Sequence, residues 1–421
     1  MQMQICRFFE CQDIYLLKHL YILYTLQTSA HLHIRTSAYQ CLHICPSICT
    51  FAHLHIRTLK MILVTGATGF LGSELTRQLA QTGQVIRCTK RSTSVIPELL
   101  VPYNQFIEWV DADIMDVFAL ENALQDVTQV YNCAAWVSLK QADKEPMIRT
   151  NVVGTANLVN LCLEQGIRLV HVSSIAAIGQ AKPGDLITEN HHLDAAVEND
   201  GYALSKLESE MEVWRGIAEG LDAAIVNPSL IIGANAGTNG SGQLFETVRK
   251  GLQFYTKGSA GFVDAEDVAK CMIALMNSEI TGERYIISAE NRNYKQITAE
   301  IANGFGIKPP VILAKSWMME LAWRGAAVVA AITGKDPALD KIAAQSASLT
   351  RDFDNTKIKR AIGIEFKPVS KSVREICERL SGRNNKLKPS DYAKSINISK
   401  GDAKNMLKDI KESRNEWERD I

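Results

Sequence analysis

The chain has 421 residues, of which 46% are hydrophobic and 22% are charged, a composition typical of ordinary globular proteins. This length suffices for one large domain or two modest ones. The 46 basic residues balance the 46 acidic residues, so net charge gives no reason to expect nucleic acid or an anionic surface as a partner.

Residues 1–60 differ in composition from the rest of the chain. They hold six of the nine histidines and five of the ten cysteines, and the hexapeptide HLHIRT occurs twice between residues 31 and 58. Three interpretations compete: a metal site built from the cysteines and histidine of 41–49, a targeting segment over the apolar run 14–26, and translated sequence upstream of a biological start at Met61. We favour the third, because Met61 immediately precedes the first predicted strand.

The body of the chain carries no signal for an oxidising compartment or a membrane. Its five cysteines are scattered singly, as buried thiols of a reducing compartment are. No apolar run from residue 61 onward approaches the roughly 20 residues that a membrane-spanning helix needs. We therefore expect a cytoplasmic protein without a membrane span and without a bound metal.

The stretch 61–72, MILVTGATGFLG, predicts a strand, a glycine turn and a helix. Its apolar run has the length of a buried parallel strand, and leucines at helical spacing follow the turn. In this context the three glycines predict a dinucleotide site, since they allow a sharp turn and a close approach of backbone to a pyrophosphate at the helix N-terminus. The expected cofactor contacts are Gly66, Thr68, Gly69, Phe70, Leu71 and Gly72.

The end of the second predicted strand indicates which dinucleotide binds. The strand 84–88 is followed by Thr89-Lys90-Arg91-Ser92, and no Asp or Glu occurs between Gly83 and Pro97. NAD sites use an acidic side chain here for the ribose hydroxyls, whereas a 2′-phosphate requires a cation such as arginine. We therefore predict NADP, contacted by Arg91, with NAD as the alternative.

Strands and helices continue to alternate with short connections as far as residue 229. This alternation predicts an α/β protein with a doubly wound parallel sheet. Small or polar residues end several strands, where parallel sheets bind ligands. The expected ligand contacts among them are Asp113 and Ile114 beside the adenine, Ala134 and Ala135 at the end of the fourth strand, and Asn227, Pro228 and Ser229 after the sixth.

The predicted chemistry lies in Ser174, Tyr202 and Lys206. Tyr202 and Lys206 stand four apart near the start of a helix over about 201–218, so they share one face. A lysine ammonium stabilises phenolate, which should lower the pKa of the tyrosine and let it exchange a proton with a substrate oxygen. Ser174 directly follows the strand 168–173 and can form a hydrogen bond with the same oxygen. With a hydride from a cofactor, these groups interconvert a carbonyl and an alcohol.

Residues 61 to about 380 resemble the extended short-chain dehydrogenase/reductase family, and within it the dihydroflavonol-4-reductase-like and 3β-hydroxysteroid-dehydrogenase-like branch. The similarity rests on the motifs above, on Asn151-Val152-Val153-Gly154-Thr155 and on the segment 262–269. The family implies that Tyr202 is the general acid/base, that Lys206 activates it and binds ribose, and that Ser174 contacts the substrate oxygen. It also implies a role for Asn151 on the cofactor side or in a proton relay.

This sequence departs from the family at two positions. Asn132 stands where relatives often have histidine, and Asn227 where many have arginine. A cofactor contact at the first position is therefore in doubt.

The resemblance implies a Rossmann-type domain over 61–232 and a smaller C-terminal substrate-binding lobe over 233–380. Some elements of the lobe should return to the main sheet. A charged helical tail over 381–421 follows. Trp317, Met318, Met319 and Trp323 form a stripe at helical spacing, which we assign to core packing ahead of a pocket wall.

The expected function is transfer of hydride between NADP(H) and a carbonyl or secondary alcohol of a small, fairly apolar substrate. One alternative is a nucleotide-sugar epimerase or dehydratase, although dehydratases place an acid pair where Ile175-Ala176 stand here. A second is a non-catalytic NADP-binding sensor or assembly protein, although such proteins usually lose the tyrosine or lysine. We expect no nucleic-acid partner and leave a homodimer open.

Overall fold

A computed structural model describes residues 61–138, 141–182, 184–192, 200–237, 240–333 and 347–382. The interpretations offered for residues 1–60, and for the charged tail beyond residue 382, lie outside these ranges. The strands in the described part are β1 Met61–Thr65, β2 Ile86–Lys90, β3 Ile107–Asp111, β4 Val127–Asn132, β5 Arg168–Val172, β6 Ala223–Pro228, β7 Leu230–Ile232, β8 Phe254–Tyr255, β9 Ser259–Asp264, β10 Glu283–Ile287, β11 Glu290–Asn293 and β12 Ile312–Leu313.

The α-helices of the same residues are α1 Phe70–Gln81, α2 Val117–Ala123, α3 Lys144–Gln165, α4 Gly201–Ala218, α5 Gly242–Arg249, α6 Ala265–Met276, α7 Tyr294–Phe305, α8 Ser316–Thr333, α9 Thr356–Ile362 and α10 Val369–Leu380. Asp or Asn side chains cap several of them, as Asp116 does for α2 and Asp200 for α4. Glycines in the left-handed conformation end α3 and α7, as is common for helix C-termini.

Seven strands form one parallel sheet in the order β10-β6-β5-β4-β1-β2-β3. The chain runs outward from β1 to β3 and then returns to β4 on the other side of β1. Such a reversal opens a crevice at the carboxyl ends of the two central strands, where ligands of open α/β sheets bind. The predicted doubly wound parallel sheet is confirmed.

The two faces of this sheet have separate apolar cores. Successive residues of a strand point to opposite faces, so Ile62 and Val64 pack with α1 and α6, whereas Leu63 packs with α2, α3 and α4. Because both faces are covered, the central strands are apolar throughout, as the run after Met61 predicts.

The predicted smaller lobe is present after β6. A three-stranded sheet in the order β11-β9-β7 packs with α5, α7 and α10 around Phe245, Phe262, Ile297 and Val373. The chain also returns to the main sheet, because α6 covers one face of it and β10 is its edge strand.

The stripe on α8 does not pack in the core as predicted. Trp317 is 62% exposed and Leu321 beside it equally so, while Met318, Met319 and Trp323 are only half-buried. Helical spacing shows that these side chains share a face, but it carries no information about what covers that face. Among the described helices none combines the length and apolarity needed to cross a bilayer.

Candidate active site

The glycine turn after β1 brings three backbone segments together. Gly66 has φ +66°, a conformation that glycine adopts without strain, and a Cβ there would lie 2.6 Å from the Ala134 backbone nitrogen. A Cβ at Gly72 would lie 2.2 Å from the Gly66 carbonyl oxygen. The turn therefore packs against the end of β4 on one side and against the first turn of α1 on the other.

The N-terminus of α1 is left open for a ligand. Gly69, the N-cap residue, has no side chain to accept from the first helical N–H groups, whereas Asp200 caps α4 in this way. Gly69 is exposed, and Thr68 and Phe70 are half-buried. Uncapped N–H groups and the positive end of the helix dipole suit a pyrophosphate, so these residues fit a dinucleotide.

Replacing Gly72 with alanine should lower the free energy of unfolding by about 1–3 kcal/mol, the usual cost of overpacking against atoms that cannot move aside. The expected clash is with backbone, so cofactor binding should weaken as well. Urea unfolding and dinucleotide titration measure the two effects. Gly325→Ala on α8 is the matched control, because nothing lies within 4 Å of its added Cβ. Equal stability of the two variants would contradict the predicted packing.

The two cations at the end of β2 have different surroundings. Lys90 pairs with Asp111 on the neighbouring strand β3, so an acidic residue distant in sequence neutralises it. The side chain of Arg91 is exposed and makes no hydrogen bond or ion pair with the described residues, although its carbonyl oxygen accepts from the Ser94 nitrogen at 2.9 Å. Arg91 is thus the cation available for a 2′-phosphate.

The predicted adenine-side residues lie just after β3. Asp113 is exposed, and its carboxylate accepts a hydrogen bond from the Met115 backbone nitrogen at 2.9 Å. Ile114 packs on α3 so closely that a Cβ at Gly154 would lie 2.5 Å from its side chain. The glycine of the Asn151–Thr155 motif is explained by this contact.

Asn132 joins the ends of the two central strands and of β5. It accepts from the Thr65 hydroxyl at 2.7 Å, and its amide nitrogen lies 3.1 Å from His171 Nδ1. That nitrogen can only donate, so the ring proton of His171 lies on Nε2, which is buried with no partner among the described residues. Burial, together with the charge of Lys206, lowers the pKa of His171 to about 3. The sequence analysis did not single out this histidine.

Ser174 and Tyr202 meet at the carboxyl edge of the sheet. Ser174 follows β5 and begins a 3₁₀ turn by accepting from the Ala176 nitrogen at 3.1 Å. Tyr202 lies in the first turn of α4, and the nearby side chain of Ser174 acts to lower its pKa. Burial outweighs that effect, and with the nearby Asp200 it raises the pKa of Tyr202 above its ordinary value. The lowered tyrosine pKa expected from sequence is therefore wrong.

Lys206 lies one helical turn beyond Tyr202, as the spacing predicts. Its ammonium group is buried and donates to the Val172 carbonyl oxygen at 3.0 Å. Burial lowers the pKa of Lys206 to about 8, although Cys133 and Glu210 oppose the shift. The lysine is thus poised to change its charge close to physiological pH.

The side chain of Asn151 forms hydrogen bonds with the loop that follows β4. Its side-chain oxygen accepts from the Trp136 nitrogen at 2.7 Å, and its amide donates to the Trp136 carbonyl oxygen at 2.9 Å and to the Ser205 hydroxyl at 3.2 Å. Ser205 in turn donates to the carbonyl of Tyr202. Asn151 therefore fixes the loop containing Ala134 and Ala135 relative to the start of α4.

The end of β6 presents polar atoms without partners in the described part of the chain. Asn227 donates to the Ser174 carbonyl oxygen at 3.0 Å, but its own side-chain oxygen is buried and unpaired. The buried Ser229 hydroxyl is also unpaired, and Pro228 between them is the last residue of β6. Buried polar atoms normally have partners, so this edge suits a polar ligand.

A doubly wound sheet, an open helix N-terminus after a glycine turn, and a serine, tyrosine and lysine at the carboxyl edge are typical of dinucleotide-binding proteins of the Rossmann type. The protein-family model described as the NAD dependent epimerase/dehydratase family matches residues 62–288. The chain belongs to that family, which confirms the resemblance to the extended short-chain dehydrogenases/reductases. An NAD(P) cofactor is typical of its members.

Comparisons with individual proteins agree with this family assignment. The chain is 29% identical to a putative dihydroflavonol 4-reductase of Synechocystis over 72% of this chain and 89% of the relative. It is 25% identical to cinnamoyl-CoA reductase 1 of Petunia hybrida over 60% of this chain and 79% of that relative. The crystal structure of gox2253 superposes with a TM-score of 0.67 at 28% identity, covering 77% of this chain and 99% of the other. A Thermus thermophilus UDP-glucose 4-epimerase with NAD, at 20% identity and a TM-score of 0.61, shares the fold over 76% and 99%.

Proposed function

We propose that this protein is an NADP-dependent reductase that converts a carbonyl group to an alcohol. The observation that carries the proposal is the placement of Ser174, Tyr202 and Lys206 together at the carboxyl edge of the sheet, with Ser174 at the end of β5 and the other two residues one helical turn apart on α4. A carbonyl and alcohol substrate panel followed by NADPH absorbance, run alongside Tyr202→Phe, tests it.

The chain provides a binding surface for each part of the cofactor. The backbone of Gly66, Gly69, Phe70 and Leu71 would hold the pyrophosphate, and Arg91 would hold the 2′-phosphate. Lys206 would also hydrogen-bond the ribose. When bound, NADPH supplies the hydride.

The proton would come from Tyr202. Its raised pKa keeps the phenol protonated at neutral pH, which suits an acid in the direction of reduction. Ser174 would donate to the carbonyl oxygen, and the Lys206 ammonium would stabilise the phenolate left by proton transfer. A substrate oxygen between the two hydroxyls therefore receives both hydrogen bonds as negative charge develops on it.

The surroundings favour an apolar carbonyl compound. Trp136 and Val137 are 40% and 61% exposed on the loop after β4, and Asn151 fixes that loop beside the helix of Tyr202. The names of the relatives, a dihydroflavonol reductase and a cinnamoyl-CoA reductase, fit an aromatic or similarly apolar substrate. The dehydratase alternative has no support at Ile175, which packs against an apolar cluster.

NADP should bind about ten- to a hundredfold more tightly than NAD, because a charge-assisted hydrogen bond from Arg91 is worth roughly 1.5–3 kcal/mol. Arg91→Ala should remove most of this preference by weakening NADP and leaving NAD unchanged. Fluorescence titrations with both cofactors measure it. Lys90→Ala is the comparison variant. It should reduce the preference for NADP less, because Asp111 already pairs with that lysine. Equal affinities in the unmodified protein would contradict the prediction.

A further inference from the structure

A buried carboxylate lies directly behind the proposed active site. Glu210 is 1% exposed and follows Tyr202 and Lys206 at intervals of four residues, so all three lie along one face of α4. No residue of the proposed mechanism requires an acid at this depth. Burial of a carboxylate is costly unless partners compensate for the lost water, which makes its contacts informative.

The carboxylate of Glu210 accepts hydrogen bonds from four side chains. Oε2 accepts from Ser173 Oγ at 2.5 Å and from Asn227 Nδ2 at 2.7 Å. Oε1 accepts from Arg284 Nη1 at 2.9 Å and from Trp214 Nε1 at 3.1 Å. These donors come from the residue after β5, from β6, from β10 and from α4. Glu210 thus joins the ends of neighbouring strands to the helix that bears Tyr202.

These contacts hold Ser174 from two sides. Ser173, its chain neighbour, donates to Glu210, and Asn227, which also donates to Glu210, donates through the same amide nitrogen to the Ser174 carbonyl oxygen at 3.0 Å. Arg284, the ion-pair partner, donates as well to the carbonyl oxygens of Glu189 and His191, so the segment before α4 is attached to the same group.

Glu210 is also a negative charge that acts on Lys206. The titratable groups that act on this lysine or respond to it are Cys133 after β4, His171 on β5, and Glu210 on its own helix. His171 is neutral because its pKa is so low, and burial raises the pKa of the Cys133 thiol to about 12. Near neutral pH Glu210 is therefore the anion that favours the protonated lysine.

We propose that Glu210 is a positioning residue that aligns Ser174 with Tyr202 and keeps Lys206 in its cationic form. The proposal rests on the reductase function proposed above. Its two parts share one cause, since the same carboxylate accepts from the strand ends and lies one turn from the lysine. The positive charge of Arg284 compensates for the buried acid without direct contact with the reacting groups.

The charge of Lys206 is measured directly by ¹⁵N NMR on protein labelled at lysine, with the signal assigned by its loss in Lys206→Met. The titration midpoint should fall by about 0.5–1 unit in Glu210→Gln, because removal of a neighbouring opposite charge disfavours the charged form. Glu212→Gln is the matched control on the same helix, because Glu212 pairs with Arg215 at the surface. An unchanged midpoint in Glu210→Gln would overturn the proposal.

Activity supplies the second readout. The high-pH decline of kcat/KM should move to lower pH by the same amount in Glu210→Gln, with kcat reduced and KM for NADPH little changed; a uniform loss with an unmoved pH profile would mean a purely structural role. If Glu210→Gln alone fails to fold around an unpaired Arg284, Glu210→Gln/Arg284→Gln removes both charges and should shift the midpoint in the same direction, by a smaller amount because the repulsion from Arg284 is lost as well. The NMR titration needs no substrate, so failure of the reductase assignment would be seen separately, as absence of turnover in the unmodified protein.

Discussion

Tyr202→Phe should reduce the rate of hydride transfer about 10²–10⁴-fold, the usual contribution of a positioned acid or base. Only a hydroxyl is lost, so the fold and the affinity for NADPH should persist. Single-turnover oxidation of bound NADPH by a carbonyl substrate measures the step directly. Ser174→Ala should have a smaller effect, because it removes a hydrogen-bond donor and leaves the proton donor in place.

A matched control separates this effect from a general loss of tyrosine hydroxyls. Tyr103 accepts a hydrogen bond from Gln81 at the surface, and Tyr103→Phe should leave the rate unchanged. Full turnover in Tyr202→Phe on a confirmed substrate would mean that the proton comes from another group, and the assignment of the site would be wrong.

Lys206→Ala should also lower the rate of hydride transfer by about 10²–10⁴-fold, because the phenolate left by Tyr202 would lose its stabilising cation. Unlike Tyr202→Phe, it should weaken NADPH binding as well, since the same ammonium is proposed to hold the ribose. Affinity and single-turnover rate, measured on the same protein, distinguish the two variants. Lys250→Ala provides an exposed lysine as the control.

The pH dependence of the unmodified protein follows from the pKa of Lys206, which burial lowers to about 8. Below this pH the lysine is cationic and supports proton transfer. Above it the lysine loses its charge, so kcat/KM for reduction should fall as pH rises past about 8. If kcat/KM stays level to pH 10, where free lysine is still largely protonated, the charge of Lys206 does not determine the pH dependence of the reaction.

Much of the fold could be predicted because it depends on local pattern. The apolar runs and helical spacings after Met61 specify strands covered on both faces, and their alternation leaves few topologies. The glycines of the first turn form an equally short motif, although the backbone that a Cβ at Gly66 would meet belongs to the distant end of β4. Tyr202, Lys206 and Ser174 follow from the same logic, because the helix spacing and the strand end bring them to one edge.

Other features arise only when distant segments meet. Asp111 neutralises Lys90 across two strands, and Glu210 receives donors from residues 173, 227 and 284. Neither partnership has a spacing signal in the sequence. The raised pKa of Tyr202 has the same origin, because burial depends on every element packed around the phenol. The exposure of Trp317 could not be read from its helical spacing alone.

The most direct test of the reductase assignment follows a deuterium label from the cofactor into the product. The protein would be given NADPH deuterated on either face of C4, together with aromatic and apolar aldehydes and ketones, and the products would be analysed by mass spectrometry. The proposal predicts that label from one face only appears on the carbinol carbon, one deuterium for each NADPH oxidised. No oxidation with any carbonyl compound, or turnover of a sugar nucleotide with no net change in the cofactor, would contradict it.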